Sequence, residues 1–159
     1  MITATLPAPQ QSTPPGPPDP DPIPPRAGRT VVEPELFSRL VDFCADEYGL
    51  EACAAERVMD QALAFLEVVG TTGEPMSPSS QVDPGWHTFM LHSAEYTAWC
   101  QTRHGRYIHH APNSRYRDRS TMLDVTEQLR AHGFDVDKQL WGTKAECNEP
   151  TCCGDGPCC

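Results

Sequence analysis

Leu36, Phe37, Leu40, Val41, Cys44 and Tyr48 recur every three or four positions, the spacing that gathers apolar side chains on one face of a helix. The pattern predicts a helix over residues 31–48. Pro34 suits its first turn, Glu33 and Glu35 suit the positive end of its dipole, and Gly49 is its stop. Val58, Ala62, Phe65, Leu66 and Val69 repeat the pattern over residues 51–69, up to Gly70. The short link between the two predicts an antiparallel helical hairpin. Residues 70–82, rich in Gly, Ser and Pro, read as a loop. Asp83-Pro84 offers an N-cap followed by Pro at the first helical position. The helix it opens runs to about residue 104, with Gly105 as stop, and Ser93-Ala94-Glu95 allow a restart after His92. Residues 106–110 read as a short extended segment. Met122, Val125, Leu129 and Ala131 mark another helix over residues 119–132, stopped by Gly133. Phe134, Val136, Leu140 and Trp141 read as a short last element that covers the core.

These elements predict one compact, mainly α domain over residues 31–146. It has four to five helices and a short extended segment, and buries about 60% or more of its unfolded surface at this length. Composition sets its edges. Of the chain's 159 residues 38% are apolar, and ten of the 17 prolines lie in residues 1–25. The run Pro14-Pro15-Gly16-Pro17-Pro18 continues through Asp19-Pro20-Asp21-Pro22, and Pro lacks an N–H and locks φ. Residues 1–30 therefore read as a disordered arm leaning to polyproline II, either a spacer or a ligand for a Pro-binding groove. Residues 147–159 form a Cys-rich tail.

The net charge of −10 argues against nucleic-acid binding through bulk charge. No apolar run approaches the ~20 residues of a membrane span, and the first residues lack the basic and apolar regions of a secretory signal. The expectation is a cytoplasmic protein whose eight cysteines stay reduced.

Candidate chemistry falls in four places. The first is Trp86-His87 through His92. Neutral imidazole is a common metal ligand, but positions five apart lie about 140° around a helix, so His87 and His92 do not share an ion unless the helix breaks. The second is Cys100 with His104, an i, i+4 pair fit for a metal or for thiolate–imidazole chemistry; the plain alternative is a buried inert thiol. The third is residues 106–110. Alternation there sends Arg106, Ile108 and His110 one way, and Tyr107 and His109 the other. One histidine can then face a site while its neighbour packs. Residues 103–119 also hold five arginines against one Asp, while residues 33–67 hold nine acidic and two basic residues. Internal pairing is the simplest outcome of that imbalance.

The fourth place is the tail, where Cys147, Cys152, Cys153, Cys158 and Cys159 are five of 13 residues and almost nothing else is apolar. Such a segment cannot build a core, so packing does not explain the thiols. Thiolates select zinc, copper(I) or iron–sulfur irons. Disulfide exchange, or modification of the tail by a biosynthetic enzyme with the domain as leader, are the competing readings.

The blocks Asp83-Pro84-Gly85-Trp86-His87-Thr88-Phe89, Glu95-Tyr96, Cys100, Gly105-Arg106-Tyr107-Ile108-His109-His110 and Pro112 resemble small actinobacterial proteins related to the glycine-rich-domain-protein-like family. So do Gly133-Phe134-Asp135-Val136-Asp137, Leu140-Trp141 and Cys147. The resemblance covers residues 31–147 and implies a compact helical domain. It also implies a metal site at His87, Cys100, His109 and His110, without an assured activity. Together these readings predict a small metal-binding protein. It has a Cys/His site in the domain and a thiolate tail, with zinc, iron or copper as the ion. A protein partner would meet the Pro-rich arm or the tail. The alternatives are a Cys-tail substrate of a modifying enzyme and a thiol enzyme using Cys100.

Overall fold

A computed structural model of the chain describes residues 24–110 and 119–142, with backbone alone for 119–124. The described residues are mainly helical. A single 3-10 turn at Gly28–Val31 precedes α1 (Pro34–Tyr48), α2 (Ala52–Thr72), α3 (Asp83–Leu91), α4 (Ser93–His104), α5 (Arg119–Ala131) and α6 (Lys138–Trp141). The helical periodicity therefore held. Pro34 stands in the first turn of α1, and Gly49 and Gly105 cap α1 and α4 with φ of 61° and 65°, a left-handed backbone that suits glycine. The restart after His92 is real and divides the long helix into α3 and α4.

One expectation is corrected. Gly70 does not stop α2, which continues to Thr72 and ends at Gly73. Gly70 serves a close approach instead: a Cβ there would lie 2.4 Å from His104 Nε2. The missing side chain lets the α4 imidazole lie against the α2 backbone.

α2 is the spine. Every position from Val58 to Gly70 is buried, so the helix is covered all round rather than on one stripe. Its apolar residues meet the others through Phe65, which packs on Trp86 at 5.5 Å and Trp141 at 6.0 Å between ring centroids. Its polar residues are all partnered, as burial requires. Asp60 accepts from the backbone N–H of Gly28 and Arg29. Glu67 takes a bidentate pair from Arg103 at 2.8 and 2.7 Å. Gln61 Oε1 accepts from Trp141 Nε1 at 2.8 Å and Asp137 N at 3.1 Å, while its amide donates to the Asp135 carbonyl. The last element, α6, is thus tied to the spine by buried Gln61, and Arg57 of α2 adds bonds to Asp137 and Gln139 at 2.7 Å each.

The two ends of the described fold meet. Arg26 N donates to Gly133 O at 2.8 Å and Asp135 N to Arg26 O at 3.0 Å, a parallel bridge between Arg26 and Phe134. The Arg26 guanidinium lies 4.0 Å from the centroid of the Phe134 ring.

Candidate metal centre

α3 begins with Asp83, while Val82 takes the capping position. The Asp83 carboxylate therefore does not cap the helix as the sequence suggests. Its Oδ1 accepts from His110 Nε2 at 3.0 Å, with side chains 18% and 12% exposed. His87 sits one turn along α3 from Asp83, on the same helix face. Its ring centroid is 4.6 Å from that of His110. One donor atom from each of Asp83, His87 and His110 lies within 4.8 Å of the other two. All three residues are half-buried. Two donors come from one rigid helix and the third from the segment after α4. Among the described residues no other set of three His, Cys, Asp or Glu side chains gathers this way.

The segment after α4 carries His110 inward. Ile108 is buried and His110 half-buried, whereas His109 is exposed with its ring 4.8 Å from that of Tyr107. The expected alternation thus resolves the His-His pair: His110 faces the site and His109 faces out. Behind this segment lies a buried polar chain. Trp86 Nε1 donates to Tyr96 Oη at 3.0 Å, and Tyr96 donates to the Ile108 carbonyl at 2.7 Å. Trp86 also lays its ring 4.4 Å from that of His110.

Cys100 does not join the cluster. It is fully buried, and burial pushes its thiol up despite polar contacts with the Ile108 backbone and Tyr96. A thiol held protonated is a poor ligand and a poor nucleophile. His92 bonds the Thr88 carbonyl through Nδ1 at 2.9 Å and edges onto Phe43. His104 packs against Trp99 with its Nε2 3.4 Å from Glu67. Cys147, Cys152, Cys153, Cys158 and Cys159 lie outside the described residues.

The described part of the basic stretch pairs internally. Arg103 holds Glu67, and Arg106 donates to the carbonyls of Val69 and Gly70 at the end of α2. Asp83 is the member of the cluster that sequence reading missed. Its signal was present, since Asp83 and His87 stand at i, i+4, but an Asp before Pro also satisfies the rules for a helix start. A cavity of about 580 Å³ flanks this end of α3, lined by Tyr48, Arg57, Gln81, Pro84 and Leu140 among others.

Residues 31–130 match the UCP032817-like family, and the chain belongs to that family. The matched span contains Asp83, His87 and His110. Searches of curated proteins and of solved structures found no match.

Proposed function

We propose that this member of the UCP032817-like family binds a divalent transition-metal ion through Asp83, His87 and His110. The observation that carries the reading is the convergence of two imidazoles and a carboxylate from separate elements onto one half-buried spot. Imidazole and carboxylate suit zinc and iron(II), while copper(I) prefers the softer thiolate and thioether donors. Three protein donors leave coordination positions for water or a substrate, the arrangement of catalytic rather than structural sites. A bound ion would polarise such a water and lower its pKa. In this reading Cys100 is a packing residue, and the tail cysteines hold metal separately. A thiol enzyme built on Cys100 finds no support in a buried, protonated sulfur.

The test is metal content by elemental analysis and native mass spectrometry. It compares the full chain with a full-length variant in which the five tail cysteines are serine. One ion should remain in the serine variant. Asp83→Asn, His87→Gln and His110→Gln should each weaken its binding at least about tenfold, since each removes one of only three donors. Metal content that survives all three substitutions would sink the assignment.

A further inference from the structure

Two rings and a carbonyl connect the proposed ligands beneath the surface. Trp86 is the neighbour of His87 on α3, and its indole packs edge-on against His110. The indole N–H is spent on Tyr96 Oη at 3.0 Å, and that hydroxyl is spent on the Ile108 carbonyl at 2.7 Å. Ile108 lies two residues before His110. One hydroxyl on α4 therefore ties the helix that carries Asp83 and His87 to the segment that carries His110.

Without that tie, little else in the described structure holds the segment down. The backbone hydrogen bonds recorded outside the helices include none to residues 107–110. Its anchors are the Ile108 carbonyl, the contact of the Ile108 backbone with the Cys100 thiol, the buried Ile108 side chain and the contacts of the Tyr107 and His110 rings. Tyr96 is fully buried, with both its hydrogen-bonding roles filled. Its partners are an indole N–H and a peptide carbonyl, neither of which takes a proton, and the Cys100 thiol beside it is itself held protonated by burial. Burial also raises its phenol above the usual range. This is the chemistry of a clamp, not of an acid or base.

We infer that Tyr96 is a positioning residue for the metal centre. Its hydroxyl sets the approach of His110 to Asp83 and His87, and through that approach the affinity and geometry of the site. The inference rests on the metal reading for its functional consequence, but its structural core is a statement about the metal-free protein. Outer groups that orient metal ligands commonly change affinity by about 10- to 100-fold.

Two measurements on the full chain with serine at the five tail positions test it. Proton NMR of the metal-free protein reads the cross-peaks between the His110 imidazole and the Trp86 indole. Titration with cobalt(II) reads affinity and the visible d–d spectrum, which reports coordination geometry and not overall stability. Tyr96→Phe keeps the ring and removes only the hydroxyl. It should lose or weaken those cross-peaks, reduce cobalt affinity about 10- to 100-fold and alter the d–d bands. Val125→Ala serves as control, because Val125 is buried on α5, an element that supplies none of the clamp's residues, and its truncation destabilises the core. It should leave cross-peaks, affinity and spectrum as they are.

Cross-peaks unchanged in Tyr96→Phe would overturn the inference whether or not the protein binds cobalt. Equal losses in Val125→Ala would overturn it too, by showing a general loosening. If the unaltered site takes no cobalt while Tyr96→Phe still loses the cross-peaks, the metal assignment fails and the clamp stands.

Discussion

At the scale of single residues, the sharpest tension in the domain is at His104. Its side chain is 3% exposed, and its Nε2 has no hydrogen-bond partner. Burial pushes its pKa down, and the positive charges of Arg103 and Arg106 add to that against the pull of Glu67. The sign of the pH effect follows from linkage. A histidine with a lowered folded pKa takes its proton first in the unfolded chain. Stability is therefore greatest above the unfolded pKa of about 6.5 and falls as pH drops from there towards the folded value. His104→Gln removes the titration. Between about pH 7.5 and 5.5 its stability in urea should fall less steeply than that of the unaltered protein. An identical slope in both proteins would exclude the buried neutral ring as the source.

At the scale of elements, the helices were legible and their mutual roles were not. The periodicity of Leu36 to Tyr48 and the glycine stops located α1 and α4 because those signals are local. Gly70 misled because its use is tertiary: only the arrival of His104 explains a glycine inside α2. Asp83 misled because Asp-Pro reads locally as a helix start, whereas its carboxylate faces His110 from a distant segment. The burial of α2 was hidden for a related reason. Asp60, Gln61 and Glu67 look like a solvent face until their partners from distant segments are known. Gln61 carries the clearest consequence. Gln61→Leu keeps the volume but strands the N–H groups of Trp141 and Asp137. It should cost about 2–4 kcal/mol, the scale of one or two unmet buried donors. Loss of Trp141 fluorescence burial should accompany it. A cost under ~1 kcal/mol would mean that α6 is held chiefly by the packing of Trp141 on Phe65 and by the bonds from Arg57 and Ser79.

At the scale of the whole molecule, the proposed metal binding would be coupled to folding, because the three proposed donors come together only in the folded chain. An ion that binds the folded form alone stabilises it by RT ln(1 + [L]/Kd), about 2.7 kcal/mol at a hundred times Kd. Thermal denaturation of the tail-serine chain with zinc should therefore shift upward, and Asp83→Asn should show a much smaller shift. An equal shift in both would place the stabilising ion elsewhere. The bridge between Arg26 and Phe134 has a different consequence, one of mechanics. Two segments more than a hundred residues apart in sequence run side by side in the same direction. Tension applied between the first and last described residues would slide them past each other. The two backbone hydrogen bonds would then share the load instead of opening in turn. A machine threading the chain from its N-terminal side would meet that shear latch, and the Arg26 cation on the Phe134 ring, before it reached the helices of the core.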